Sequence, residues 1–431
     1  MNDSKGKTIK LSKVCTKITD GTHFTPIYTD KGVIFLSVKN VRKNRVFFDD
    51  TKFISEQEHK KLVKRCNPIS GDILLTKVGN TYGLAAVIPD NSPEFSIFVS
   101  LALLKINKSK INSYFVMYFL NSQFGKIQMD RFIKGIGQPD LHLEDIANIK
   151  IPLLSFDEQE IIINKMDNAY NSKKQKEAEA QRLLDSIDDY LLRELGIELP
   201  QPSQNTVSDR IFYRKLSDIS GGRFDAGVHH KKLSLQTELH PMVQFKNHVL
   251  INPLTIFSQY KLSNEVSFIP MENISEIFAE ANTSTIRIVS ESKGYTKFLE
   301  DDLIWAKITP CMENGKSAVV TELKNNIGFG STEYHVFRAK IGTNIRYIHA
   351  LLRLKILRNY ATLYFSGSAG HQRVSDQFFK SLLIPLPPIE KQNEIAEHIT
   401  QIREQAKQLK EEAKRELEQA KIEVEKIILG E

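Results

Sequence analysis

The chain has 431 residues, enough for two to four domains, and 41% of them are apolar, which suffices to bury cores of that size. Lys and Arg number 59 against 52 Asp and Glu, a formal charge of +7 that suits a polyanionic partner without requiring one. Cys15, Cys66 and Cys311 lie far apart without metal or disulfide spacing, no apolar run approaches the ~18 residues of a membrane span, and the first residues lack a signal core, so a cytoplasmic protein without a membrane partner is expected.

In chain order, β-branched or alternating runs at 33–38, 72–78, 84–88 and 97–106 predict strands between Gly, Pro and Asn turns, and a helix is predicted over 112–124. Ser155 with Glu158 three residues on spells a capping box that opens a long helix. Its apolar stripe runs through Ile162, Met166, Ala169, Ala180, Leu184, Ile187, Leu191 and Leu195, with Lys173 and Lys176 weakening the middle of the same face. Gly196 and Pro200-Gln201-Pro202-Ser203 end that helix and begin a linker. Strands follow at 266–270, 285–289, 303–308, 317–321 and 334–339, then a helical stretch over 344–360. Pro388 before Ile389 and Glu390 opens a second long helix, in which Ile395, Ile399, Ile402, Ala406, Leu409, Ala413, Leu417, Ala420 and Val424 keep a coiled-coil rhythm with one stutter.

The two halves repeat. Ile151-Pro152-Leu153, Gln159, Ile162 and Ala180 match Ile384-Pro385-Leu386, Gln392, Ile395 and Ala413 at a constant offset of 233, and Phe35 to Val41 falls on Phe268 to Ile274 at the same offset. Each long helix would reach about 60 Å and needs a partner, most economically the other helix, antiparallel about a pseudo-twofold axis. The expected fold class is therefore α+β: two mixed α/β domains separated by two long antiparallel helices forming a coiled coil. The expected boundaries are 1–154 and 199–386 for the globular parts and 155–198 and 387–431 for the helices.

Chemistry is sparse. No phosphate-binding GxxxxGK[ST] loop occurs, Asn67-Pro68-Ile69-Ser70 lacks the second proline and aromatic of an adenine methyltransferase, and Pro139-Asp140 is not completed into a nuclease motif by Glu144-Asp145. His229-His230 has no third ligand at metal spacing, so no catalytic residue and no metal site is expected. Polar loops recur instead at corresponding points of both copies, and Arg, Lys, Asn and Gln in such loops suit phosphate oxygens and base edges. The candidate DNA-contacting residues are Thr22, His23, Lys39, Asn40, Arg42, Lys43, Arg45, Lys77, Asn80, Tyr82, Lys134 and Gln138 in the first copy. In the second they are Glu272, Asn273, Lys307, Thr309, Glu313, Asn314, Lys316, Ser331, Thr332, Tyr334, His371, Gln372 and Arg373.

Asp20-Gly21-Thr22-His23, Phe268 to Ile274, Thr309 to Lys316, Gly330-Ser331-Thr332-Glu333 and the Ile-Pro-Leu entries to both helices closely resemble the recurrent segments of specificity (S) subunits of type I restriction-modification systems. The resemblance implies two target-recognition domains, each reading half of a bipartite asymmetric site in double-stranded DNA, on a helical spacer that docks two methyltransferase (M) subunits and, through them, restriction (R) subunits. It implies a non-catalytic chain that binds no cofactor, with S-adenosylmethionine, ATP and Mg in the partner subunits. Two other readings remain at this point: an S-like subunit of a fused restriction-methylation enzyme, and a nonenzymatic coiled-coil scaffold for proteins. The charge divides accordingly, +9 and +6 on residues 1–156 and 199–388 against −5 and −3 on residues 157–198 and 389–431.

Overall fold

The computed structural model describes residues 7–133, 139–199, 211, 213, 215, 235–368 and 370–429. Lys134, Gln138, the linker from Pro200 and the His229-His230 pair lie outside the described residues. The chain forms two compact units, one of Met1–Lys176 with Glu411–Glu431 and one of Glu177–Lys410. Both long helices, Phe156–Glu194 and Ile389–Leu429, thus contribute one end to each unit.

The first unit is built on a four-stranded antiparallel sheet in the order Cys15–Asp20, Leu101–Ile106, Ile73–Thr76, Ala85–Val87. Residues 73–75 and 101–104 of its two central strands are unbroken apolar runs because both faces are covered there. Ile73, Leu75, Ala102 and Leu104 face the core that contains the helix Ser113–Leu120, whereas Leu74, Leu101 and Leu103 face Leu36, Phe95 and Ile97 of a second sheet. That second sheet runs Phe95–Ile97, Val33–Leu36, Lys52–Ile54, Tyr28–Thr29, with its first pair parallel.

The second unit repeats the design. Val249–Ile251, Tyr334–Ala339, Leu303–Ala306 and Ser317–Val319 form the antiparallel sheet, and Ile286–Ile288, Glu265–Ile269, Ile327–Gly330 and Thr296–Leu299 form the second sheet. The parallel pair keeps its register under the 233-residue offset: Ile97 opposes Leu36, and Gly330 opposes Ile269. A two-stranded ribbon, Thr8–Lys10 with Lys150–Pro152 and Met242–Gln244 with Leu383–Pro385, closes each globular part just before its long helix.

Neither expected globular helix is continuous. The first breaks at Asn121, because Ser122 caps a new helix, Gln123–Phe132, by accepting from Gly125 N–H. The second divides at Leu354 into Ile345–Arg353 and Lys355–Ala361. The capping box is present as read, with Ser155 N–H donating to the Glu158 carboxylate (2.7 Å) and Glu158 N–H to Ser155 Oγ (3.3 Å).

The long helices run antiparallel within each unit. In the first, Lys165, Ser172 and Lys176 reach Glu423, Glu416 and Glu412 in descending order; in the second, Lys391 reaches Glu194. Met166, Leu417 and Val424 are buried in the first unit and Ile187, Leu191, Ile395, Ile399 and Ile402 in the second, while Leu184 and Leu409 are half-buried. Apart from Leu409, these seam residues belong to or pack against the same clusters as the globular cores, so each apolar stripe faces both the other helix and a sheet-helix core.

Candidate nucleic-acid interface

The polar loops converge where the central strand of each antiparallel sheet ends. In the first unit Lys77 N–H donates to Ser100 C=O (3.0 Å), Lys77 C=O accepts from Leu141 N–H (2.8 Å), and Gly79 N–H donates to Pro139 C=O (2.9 Å). In the second, Lys307 N–H donates to Glu333 C=O (2.9 Å), Lys307 C=O accepts from Val374 N–H (2.9 Å), and Thr309 N–H donates to Gln372 C=O (3.0 Å). Three backbone bonds at repeat-related positions fix the same loop frame twice.

Different side chains fill the two frames. In the first, the buried Asp20 carboxylate lies 2.5 Å from Arg65 Nη2, 3.2 Å from His23 Nε2 and 3.8 Å from Lys77 Nζ, and Asp140 lies 3.5 Å from Lys77 Nζ. The Asp20 loop is held by Thr22, whose N–H donates to Ile97 C=O (3.1 Å) and whose C=O accepts from Val99 N–H (3.0 Å). Gly21 is required there, since a Cβ would stand 2.0 Å from Ile97 O. In the second, Arg373 forks onto Glu333 through Nε (2.8 Å) and Nη2 (2.7 Å), and these bonds hold the Glu333 carboxyl below its ordinary range. Thr309 donates to Glu313 in the same loop, and Ser331 Oγ accepts from Glu333 N–H (3.2 Å).

Of the candidate residues, the structure brings Thr22, His23 and Lys77 together in the first unit, with Asn80 exposed on the loop after Lys77. Tyr82, further along that loop, donates to Asp130 (2.7 Å) beneath the Lys126 ammonium. In the second unit Lys307, Thr309, Glu313, Asn314, Ser331, Thr332, His371, Gln372 and Arg373 share the loop cluster. Glu272 and Asn273 adjoin it, tied in by Lys316 Nζ, which donates to Met271 C=O (3.1 Å). The hairpin bearing Arg42, Lys43 and Arg45 goes elsewhere: Asn44 N–H donates to Ala85 C=O (3.0 Å), and Lys43 lines a cleft with Glu418 and Lys421. Lys39 is exposed and pairs with Asp50 (3.3 Å).

Four of the candidates are buried. Asn40 accepts from Ser37 N–H (3.0 Å), Tyr334 donates to Ile269 C=O (3.3 Å), Thr22 donates to Phe24 C=O (3.1 Å), and Lys77 lies near the Asp20 and Asp140 carboxylates. Sequence reasoning missed Arg65, whose only signal was the basic run Lys60, Lys61, Lys64. It also missed apolar loop tips that follow the first strand of each antiparallel sheet: Phe24 and Ile27 are 60% and 86% exposed, and Leu254 and Ile256 are 85% and 60% exposed. Exposed cations beside apolar tips can meet phosphates and base edges together. Among the described residues no cluster of three His, Cys, Asp or Glu could hold a metal ion, and no helix is long and apolar enough to cross a membrane.

The chain resembles known proteins along most of its length. The specificity subunit of the type I restriction enzyme EcoAI of Escherichia coli is 39% identical over 147 residues, 32% of this chain and 24% of that protein. The corresponding EcoEI subunit is 39% identical over 134 residues, 31% and 23% of the two chains, so the matched stretch spans about a quarter of these relatives. A solved chain from work on complex assembly and conformational transition of the type I R-M system aligns over 98% of this chain and 97% of its own, with a TM-score of 0.57 at 16% identity, which shows a shared fold. The family model for the type I restriction modification DNA specificity domain matches twice, at residues 4–182 and 251–419, once per repeat. With both copies matched and their loops set on one frame, the chain belongs to the type I restriction modification DNA specificity family.

Proposed function

We propose that the chain is the sequence-reading subunit of a type I restriction-modification complex, with residues 1–154 and 199–386 each reading one half of a bipartite, asymmetric DNA site. The segments 155–198 and 387–431 set the unread spacer and dock methyltransferase subunits, through which restriction subunits join. This chain contributes recognition alone; methyl transfer and cleavage, with S-adenosylmethionine, ATP and Mg, belong to the partners. The observation that carries the reading is the loop frame built twice around a shared lysine, Lys77 or Lys307, with different partners, Asp20–Arg65 in one unit and Glu333–Arg373 in the other. A common frame with unlike polar groups is what two unlike half-sites demand.

Duplex binding measured against salt tests it. With about 6–10 phosphate contacts, affinity should fall roughly 10³–10⁵ between 50 and 200 mM salt, whereas a flat response would point to a protein scaffold. Methylome sequencing of a host carrying this chain and its partner subunits should then yield two short motifs at a fixed spacing.

A further inference from the structure

The repeat builds a cleft at the same place in each unit, between the globular helices and the long-helix pair. In the second unit it encloses about 620 Å³ and is lined by Asp185, Asp188, Arg353, Lys355, Arg358 and Arg403. In the first it encloses about 340 Å³ and is lined by Lys43, Asn121, Gln123, Tyr170, Glu418 and Lys421. The correspondence is residue by residue. Asp185 and Asp188 match Glu418 and Lys421, and Arg403 matches Tyr170, all at the 233-residue offset. Arg353 follows the helix cap Asn344 at the distance at which Asn121 follows the cap Asn112. The architecture therefore makes this cleft with Asn and Tyr, and the fold itself does not require guanidinium groups at these two places.

Nor are these arginines spent on structural ion pairs. Arg353 donates from Nη1 to Gly315 C=O and from Nη2 to Glu276 C=O (2.8 Å). Arg358 donates from Nη1 to Glu313 C=O and from Nε to Arg353 C=O (3.0 Å). All four acceptors are uncharged carbonyls. The Nη1 atoms of both residues lie within 3.3 Å of the place a Cβ on Gly315 would occupy, so two like charges meet at one point. Arg403 donates no hydrogen bond to any described residue, and Asp188 is the one carboxylate whose charge acts on all three arginines. Burial, then Arg403 and Arg358, pulls Arg353 down to about 9 against Asp188 and Glu276, and burial pulls Arg403 down to about 10 against Glu280 and Asp188, so burial of these guanidinium groups outweighs the carboxylates that face them.

We propose that the second-unit cleft binds a phosphate-bearing small ligand, its phosphate oxygens held by Arg353, Arg358 and Arg403 and its remaining atoms resting on Leu184, Ile187 and Ile277. The guanidinium fork matches phosphate geometry, and the volume falls within the range of small-molecule sites. Because Arg353 and Arg358 also hold the carbonyls of Gly315 and Glu313, an occupant shares its anchors with the loop that carries Thr309 and Asn314.

Calorimetric titration of the full chain with pyrophosphate and with a nucleoside diphosphate, at fixed ionic strength, tests the site without any duplex. Saturable one-to-one binding is expected. R353N and R403Y, swaps to the residues the repeat uses at these places, should each weaken it about tenfold or more. R403Q serves as a second variant if R403Y unfolds, and Y170F in the first unit should leave binding unchanged. Tighter binding of the nucleoside diphosphate than of pyrophosphate assigns a nucleoside to the apolar wall; equal binding assigns a free phosphate. Failure of both probes to saturate, or binding indifferent to the arginine substitutions, overturns the proposal.

Discussion

Gln159 and Gln392 perform one task twice. Each is buried at the start of a long helix, accepts the N–H of a cap asparagine (Asn112, 2.8 Å; Asn344, 2.9 Å), and donates to the carbonyl five residues upstream (Leu154, 2.9 Å; Pro387, 2.8 Å). Replacing either with Leu strands a buried backbone N–H, so Q159L and Q392L should each cost about 1–3 kcal/mol in denaturant unfolding. Their equivalence was legible as repeated letters, but their role was not, because it depends on partners 47 and 48 positions away. The same limit produced the four buried candidates: a polar residue in a loop has no sequence mark for inward or outward. His335 is a further case. Its Nε2–H donates to Val374 C=O (2.9 Å), Asn252 lies against Nδ1 (3.1 Å), and burial draws it down to about 4. Between that value and the unfolded value of about 6.5 the unfolded chain binds a proton that the folded chain refuses. Stability is therefore full above about pH 6.5 and falls by up to about 3 kcal/mol toward pH 4. Thermal midpoints at pH 7.5 and 5 should differ less in H335Q than in the parent, with a residual gap from His349, which burial also holds neutral.

The long helices were legible as elements, with their starts, their seam and their antiparallel pairing. Their weak middle was legible too, but its remedy was not. Lys176, an interruption of the apolar stripe when the helix is read alone, pairs with Glu412 (2.9 Å) and Glu416 (2.6 Å) on the facing helix, and Ser172 also reaches Glu416 (2.7 Å). A charge on a seam is a defect only until the partner sequence is laid beside it. K176A should lower the unfolding midpoint more at low than at high ionic strength, since exposed pairs are screened. Ala413, buried on the same seam, should give an effect indifferent to salt: A413L overfills a closed contact and should cost about 1–3 kcal/mol at any ionic strength.

At the scale of the whole chain the duplication was legible, whereas the boundaries of the compact units were not. A helix read along the chain looks like one element with one allegiance; here contacts divide it after Lys176, and its partner after Lys410, because each end is absorbed into a different core. That division locates a clean test of the proposed spacer function. Four residues, about one turn, inserted after Lys176 and again after Lys410 would add about 6 Å to both helices. Both insertions fall at the passage from one unit to the other, and the seam already accommodates one such stutter. At about 3.4 Å per base-pair step, the unread spacer should grow by one or two base pairs while both half-sites stay unchanged. The loop frames that hold Lys77 and Lys307 lie outside both insertions, so the loops proposed to read the half-sites are left as they are. Methylome sequencing with the doubly inserted chain reads spacer and half-sites together. A longer spacer between identical half-sites supports helix length as the ruler. A changed half-site would mean that the helices shape the loops as well as separate what they read, and an unchanged spacer would place the ruler in the partner subunits.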